Sequence, residues 1–238
     1  MRNLNSVNCY FKRSFIASCF FFTIRAASQP FKNRIETFRE HIDSPIQNQL
    51  TTQNQQIKPF LQVPTIASEE NTVRVFFSPN CPYSASYFDF FVNLANTLPQ
   101  EIRYELSALP NTKDSAAYAL TYLAVRRFYP NNLKQFVQNS FKLFQNQGLS
   151  SKNWSVLQRL GTMSRIPVNL PAFVLVNKSI LSKDLTELID LCRSLRVTNT
   201  PCVAVDGTYT VTPEFVPGAD PGMFNQLVNS IISMSIGA

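Results

Sequence analysis

The sequence predicts an α/β fold in which a mixed β-sheet is flanked by helices and interrupted by an inserted block of helices. Three observations lead to this fold class: an apolar strand pattern runs directly into a helix pattern, a second strand follows it, and a β-hairpin pattern comes much later. The two strands are predicted at Val73–Phe77 and Glu101–Leu109, and the hairpin at Val203–Val205 and Tyr209–Val211 around Asp206-Gly207. The first two strands, joined by a helix, are expected to be parallel.

The helices follow from apolar residues at helical spacing. The first is predicted at Tyr83–Thr97, with Tyr87, Phe91, Leu94 and Ala95 on one face. Pro130 and Gly148 separate the later segments, and residues 172–177 have no clear assignment. The remaining helices are predicted at Ser115–Phe128, Leu133–Gln147, Lys152–Met163, Lys183–Ser194 and Pro221–Met234.

The N-terminal 28 residues have the form of a secretory signal peptide. Lys12 and Arg13 precede the apolar run Ser14–Ile24, and small residues then allow cleavage after Ser28. The run is too short to span a bilayer as a helix, so no membrane span is expected after cleavage. A mitochondrial presequence and an uncleaved anchor remain as less favoured alternatives. Residues 29–70 are predicted as a polar leader or linker, and residues 71–238 as the domain, with the helical insertion at about 113–180.

Composition excludes two classes of function. The net charge is +7, but four of the 22 lysines and arginines lie in the first 28 residues, which contain no acidic residue. The remaining chain has no basic stripe with interleaved aromatic residues, so a nucleic-acid partner is not expected. His41 is the single histidine and paired cysteines are lacking, so no metal site is expected.

Cys81 stands where the first predicted helix begins, followed by Pro82 in the first turn. Unpaired backbone N–H groups at a helix start favour the thiolate, which is the nucleophilic form of cysteine. Signal cleavage would leave Cys81, Cys192 and Cys202, an odd number in an exported chain. The spacing of Cys192 and Cys202 is compatible with a structural disulfide or with two thiols packed as small apolar residues.

Two separated motifs resemble those of the DsbA branch of the thioredoxin superfamily. Phe76-Phe-Ser-Pro-Asn-Cys-Pro-Tyr-Ser84 is similar to that family's Phe-Phe-Ser-x-x-Cys-Pro-His-Cys. Val197-Thr-Asn-Thr-Pro-Cys-Val-Ala-Val-Asp-Gly-Thr-Tyr209 is similar to its Val-Pro-x-x-x-Val-Asn-Gly-x-Tyr element. The resemblance runs from about Thr72 to Ile232 and implies a thioredoxin-like sheet with an inserted helical subdomain.

The resemblance also implies roles for individual residues. Cys81 corresponds to the attacking thiol, and Pro82-Tyr83 to the dipeptide that tunes it. Thr200-Pro201 corresponds to the cis-proline loop, which in the family faces the active cysteine and holds an extended substrate peptide as an added strand. Ser84 takes the place of the resolving cysteine, so an internal active-site disulfide cannot form.

These implications favour an exported, periplasmic thiol–disulfide protein that acts through Cys81 alone on extended or unfolded protein clients. It would be a monothiol reductase or isomerase, or would trap clients, with no cofactor other than glutathione as an external thiol. Whether it is an enzyme stays open. One alternative is a catalytically inactive partner subunit of an envelope secretion or conjugation assembly. Another is a glutathione transferase like those of the kappa class, whose Ser-Pro-Tyr-Ser motif resembles Cys81-Pro-Tyr-Ser84.

Overall fold

A computed structural model describes residues 58–109 and 116–236. In these residues the chain forms a five-stranded sheet in the order β1-β5-β4-β2-β3. The strands β2 and β3 are parallel and the other neighbours are antiparallel, which confirms the predicted mixed sheet. The strands are β1 (Leu61–Gln62), β2 (Thr72–Phe77), β3 (Arg103–Ala108), β4 (Cys202–Val205) and β5 (Tyr209–Val211).

Helices cover both faces of the sheet, as predicted, and most of them lie between β3 and β4. The helix Leu133–Phe141 continues without a break into a π-helical turn at Lys142–Asn146. The helices are α1 (Pro82–Ser86), α2 (Phe88–Thr97), α3 (Ala116–Phe128), α4 (Leu133–Phe141), α5 (Trp154–Met163), α6 (Leu170–Val176), α7 (Lys178–Ser194) and α8 (Pro221–Ser235).

The helix predicted at Tyr83–Thr97 is two helices that meet at Tyr87. There the backbone has φ −91° and ψ −2°, so the chain bends between α1 and α2. The Tyr87 hydroxyl donates to the carbonyl of Ala219, and its ring packs edge-on against Phe224 of α8. The contacts of the Tyr87 side chain thus account for a break in the helix that the spacing of apolar residues does not predict.

The helical insertion is longer than predicted. Residues 172–177, unassigned from sequence, fall largely in α6, which begins with Asn169 accepting a hydrogen bond from the Ala172 N–H at 3.0 Å. Helix α7 starts at Lys178 rather than Lys183, because Leu181 is fully buried and anchors the first turn. The inserted helices therefore continue to Ser194 instead of ending near residue 180.

Strand alternation gives the sheet two separate cores. Val203 and Val205 of β4 point to the face covered by α2 and α8, where they pack with Val73 and Val75 of β2. Cys202 and Ala204 point to the opposite face, which the inserted helices cover. Cys202 therefore shares a core with Cys192 of α7.

The domain begins earlier than the predicted boundary at residue 71. Strand β1 pairs with β5, and Val63 is buried. Glu69 is also buried and receives two hydrogen bonds from the Arg74 guanidinium, at 2.7 and 2.9 Å. A two-residue strand among polar neighbours has no periodicity, which explains why residues 61–70 resemble a linker in sequence. The predicted signal peptide and most of the predicted leader lie outside the described residues.

Two further features concern the surface of the domain. The two edge strands of the sheet are β1 and β3. On β3, the carbonyl of Leu106 accepts a hydrogen bond from the Tyr122 hydroxyl of α3. In the part of the chain that the structure describes, no helix has both the length and the apolar character needed to cross a bilayer.

Candidate active site

Cys81 lies at the end of a turn that follows β2 and immediately before α1. Its backbone is extended, with φ −89° and ψ 117°, and its N–H donates to the Ser78 carbonyl at 3.1 Å. Pro82 occupies the first turn of α1, as predicted, where no backbone N–H is required. The side chain of Cys81 is partly exposed. The thiol therefore stands beyond the carboxyl end of the interior strand β2, within reach of solvent.

The Thr200-Pro201 loop faces this thiol. The peptide bond between Thr200 and Pro201 is cis, and the Cys81 sulfur donates to the Thr200 carbonyl oxygen at 3.0 Å. The sheet explains this approach: Phe76 of β2 pairs with Cys202 of β4 in an antiparallel register, so the end of one strand meets the start of the other. Residues 119 positions apart in sequence thus form one site.

Ser84 and Tyr83 have opposite environments, although they are neighbours in α1. Ser84 is fully buried, and its hydroxyl oxygen accepts a hydrogen bond from the Ser78 N–H at 3.2 Å. Tyr83 is 59% exposed. Position 84 therefore closes the turn that carries Cys81, and the ring of Tyr83 lies at the surface next to it.

Gln145 is a site residue that the sequence does not reveal. Its side-chain amide nitrogen donates to the carbonyls of Pro79 and Cys81, at 2.9 and 3.0 Å. The residue lies in the π-helical turn after α4, and such turns often occur at functional sites. One glutamine in the segment Phe144-Gln-Asn-Gln-Gly148 carries no local signal, so only the packing of the insertion identifies it.

The fold was compared with known proteins. No protein-family model matches the chain, and no curated protein matches it. Among solved structures, DsbA from Xylella fastidiosa has a TM-score of 0.63 at 17% identity, covering 75% of this chain and 96% of that one. DsbA from Pseudomonas aeruginosa has a TM-score of 0.63 at 12% identity, covering 75% and 93%. The chain has a DsbA-like thioredoxin fold.

A third DsbA structure contains a ligand. It is a Cys-to-Ser variant of the Proteus mirabilis protein with the non-covalently bound peptide PWATCDS, and it matches with a TM-score of 0.59 at 12% identity, covering 74% of this chain and 94% of that one. The DsbA-like fold predicted from the two motifs is therefore confirmed. The described residues account for most of the length of each of these neighbours.

The two remaining cysteines of this DsbA-like domain are buried free thiols. The disulfide considered between Cys192 and Cys202 is not formed; instead both side chains pack as small apolar residues in the core under the inserted helices. The pKa of each thiol is raised to about 12, mainly by burial and, for Cys202, also by the neighbouring Cys192. Cys202 packs in this core, whereas Cys81 contacts the Thr200 carbonyl.

Within residues 58–109 and 116–236, no group of three or more His, Cys, Asp or Glu residues is arranged to hold a metal ion. Glu105 pairs with Arg126 at 2.5 Å, and Asp89 is exposed on α2. His41 lies outside the described residues. The chemistry available here is therefore that of one accessible sulfur beside a backbone loop.

Proposed function

We propose that this protein is an exported thiol–disulfide protein that reacts through Cys81 alone. The observation that carries the proposal is the 3.0 Å approach of the Cys81 sulfur to the carbonyl beside the cis Thr200-Pro201 bond, with a serine at position 84. The DsbA-like fold supports thiol–disulfide chemistry at this place. Because Ser84 has no sulfur, the usual internal release of a bound client is not available.

The reaction begins when the Cys81 thiolate attacks one sulfur of a client disulfide. A mixed disulfide with Cys81 forms, and the other client sulfur leaves as a thiolate. An external thiol such as glutathione then attacks the Cys81 sulfur and frees the client thiol. A second glutathione regenerates Cys81 and leaves as oxidised glutathione. The balance is one client disulfide and two glutathione thiols converted to two client thiols and one glutathione disulfide. Without external thiol, the client stays bound.

The clients proposed are extended or unfolded protein segments. The loop Asn199–Pro201 precedes β4 and offers backbone groups to a peptide laid beside it, the mode in which an extended segment adds a strand to a sheet. The peptide in the Proteus mirabilis DsbA structure is consistent with such clients. The proposed compartment is the periplasm or another oxidising space, because disulfide clients occur there.

The test is alkylation of the mature chain, without the predicted signal peptide that contains Cys9 and Cys19, with limiting iodoacetamide at neutral pH, followed by peptide mass spectrometry. We expect one fast-reacting thiol, Cys81, and negligible labelling of Cys192 and Cys202 because both are buried. Cys81→Ser should abolish the fast phase. If Cys81 reacts no faster than the buried thiols, the proposal is wrong and an inactive partner subunit is favoured. Retention on immobilised glutathione that survives Cys81→Ser would instead favour a transferase.

Ser84→Cys tests the one-cysteine mechanism directly. We expect the unmodified protein, given a peptide supplied as a disulfide, to release one peptide as a thiol and to retain the other as a mixed disulfide on non-reducing electrophoresis. The variant should release it rapidly, because a second sulfur in α1 can attack the mixed disulfide. Ser86→Cys is the matched control, since Ser86 is exposed at the far end of the same helix. Equal release from the unmodified protein and from Ser84→Cys would contradict the mechanism.

A further inference from the structure

Two exposed aromatic side chains belong to segments that contact the Cys81 site. Tyr83 follows it in α1 and is 59% exposed, and Phe215 is 41% exposed in the 3₁₀ turn Pro213–Phe215. Large aromatic rings at a protein surface are common contact points for partners, because they supply contact area at little conformational cost. Phe215 is related to Cys81 through the hydrogen bonds of the segment that contains it.

Both ends of the segment 213–219 are tied to the candidate active site. At one end, the side-chain amide of Asn199 donates to the two Glu214 carboxylate oxygens, at 3.2 and 3.3 Å. Asn199 immediately precedes Thr200, whose carbonyl contacts the Cys81 sulfur. At the other end, the Ala219 carbonyl accepts from the hydroxyl of Tyr87, at the end of α1. Glu214 and Phe215 therefore lie in a segment, the rim segment Pro213–Ala219, that is hydrogen-bonded to the residue before Thr200 and to Tyr87.

The rim segment carries uncompensated negative charge. Glu214 is exposed and forms no ion pair with any described residue; its only side-chain partner there is the neutral amide of Asn199. Asp220 accepts from the Met223 N–H at 2.7 Å as the cap of α8. It lies near Tyr87, whose hydroxyl pKa is raised by burial and by the charge of Asp220. Because the amide of Asn199 is neutral, the Glu214 carboxylate has no cationic partner among the described residues and is available to a bound segment.

We infer that the client segment bound at this site carries an apolar residue next to its cysteine and a basic residue on the flank that passes Glu214. The inference rests on the proposed function and names the class of client. A strand laid along Asn199–Pro201 passes Glu214 on one side of the cysteine, and its apolar neighbour can contact Tyr83 or Phe215. Lys152 is exposed and follows Ser151, whose hydroxyl accepts a hydrogen bond from the side-chain amide of Asn80, the residue before Cys81, at 3.5 Å. The client can thus meet charges of both signs near its cysteine.

The effect should be modest and confined to one flank. Exposed ion pairs change binding by about two- to five-fold, and salt should weaken the preference because both charges are exposed. The attraction to Glu214 would act on the rate at which the segment is captured.

The experiment measures the capture of synthetic peptides by the mature chain, which lacks Cys9 and Cys19 of the predicted signal peptide. Each peptide has one cysteine with an adjacent leucine, and its sulfur is activated as a 2-pyridyl disulfide. Cys81 displaces pyridine-2-thione and forms the mixed disulfide, so the released thione reports the rate. Lysine, serine or glutamate is placed on the N-terminal flank in one series and on the C-terminal flank in another. The small neutral 2,2′-dipyridyl disulfide reports the intrinsic reactivity of Cys81.

We expect lysine to react two- to five-fold faster than glutamate on one flank, and Glu214→Gln to remove that difference. Glu101→Gln makes the same charge change just before β3, at the end of the sheet away from Cys81, and should keep the difference between lysine and glutamate. Phe215→Ser should slow the leucine peptides more than peptides with glycine beside the cysteine. Equal rates for lysine and glutamate on both flanks, with normal dipyridyl disulfide reaction, would overturn this inference alone. Failure of Cys81 to react with dipyridyl disulfide would overturn the proposed function.

Discussion

The three described thiols differ in their surroundings more than in their chemistry. Cys81 is partly exposed beside a backbone carbonyl, whereas Cys192 and Cys202 are buried in the core under the inserted helices. Burial raises the pKa of both buried thiols from 9.0 to about 12, because a thiolate there would lose its hydration. At neutral pH these two sulfurs therefore behave as small apolar groups.

Stability should fall at alkaline pH through these two thiols. Above pH 9 they lose protons in the unfolded chain but keep them in the folded one, so the free energy of unfolding decreases until the pH approaches 12. Between pH 8 and pH 10 we expect the pair to contribute a loss of about 1–3 kcal/mol. Urea unfolding in reductant measures it, against Cys192→Ala/Cys202→Ala, in which the tyrosine titrations are the same. Equal slopes in both proteins would contradict the assignment.

The sequence identifies Cys81, Ser84 and Pro201 as site residues because each lies in a short motif with its own local pattern. It identifies neither Gln145 nor the Glu214–Asn199 contact. These residues reach the site only through packing, and no spacing rule connects the segments that hold them. The predicted juxtaposition of Cys81 and the cis-proline loop came from the resemblance, and the pairing of β2 with β4 accounts for it physically.

Among the elements, the π-helical turn Lys142–Asn146 links the insertion to the active-site turn. Gln145 donates from this turn to two carbonyls that flank Asn80, those of Pro79 and Cys81. The Cys81 carbonyl also accepts the Ala85 N–H at 3.3 Å, the first backbone bond of α1. The position of Cys81 thus depends on an element from another part of the chain.

Gln145→Leu should loosen the turn that carries Cys81. Removing the donor leaves two carbonyls with fewer partners, and we expect the free energy of unfolding to fall by about 1–3 kcal/mol. Hydrogen exchange should accelerate at Cys81 and Ala85 first. Gln147→Leu is the matched control, since Gln147 is exposed two residues later. The role assigned to Gln145 would be wrong if both variants gave the same exchange rates around Cys81.

Regular elements were predictable where the apolar pattern is strong, as in the fully buried strand β2 and in α3 and α8. The bend at Tyr87 was not, because it depends on contacts with Ala219 and Phe224 at the other end of the domain. Helix α6 was missed for a different reason. It is short and nearly all apolar, so its residues show no contrast between two faces.

At the scale of the molecule, the segment before β2 belongs to the domain through a buried ion pair. Glu69 receives both hydrogen bonds of the Arg74 guanidinium fork, and Arg74 also donates to the Ser107 hydroxyl at 2.8 Å. Arg74 is on β2, an interior strand, so this contact fixes the 3₁₀ turn Ala67–Glu69 against the sheet. Arg74 depends on the pair, because Glu69 is its carboxylate partner among the described residues, whereas Glu69 also lies 3.7 Å from Arg103.

Glu69→Leu should therefore destabilise the fold strongly, by about 3–5 kcal/mol, because Arg74 stays buried without a counter-charge. The double variant Glu69→Leu/Arg74→Met should recover most of that loss. Lys183→Ala removes an exposed pair with Glu187 and should change the free energy of unfolding by less than about 1 kcal/mol. Urea unfolding of the three variants is the measurement. A double variant no more stable than Glu69→Leu would contradict this account.

Chain topology was predictable from the order of elements and the handedness of the strand–helix–strand unit. The start of the domain was not, since it rests on a two-residue strand and one ion pair that join residues 61–74 to the sheet.

The hydrogen bond from the Tyr122 hydroxyl to the Leu106 carbonyl affects whether copies of this protein associate at high concentration. A sheet that ends in an uncovered strand can recruit strands from neighbouring molecules and grow into aggregates. Here the edge strand β1 is only two residues long. On the other edge strand, β3, the Tyr122 hydroxyl already donates to the carbonyl of Leu106. The domain thereby has little tendency to pair with other chains through the edges of its own sheet.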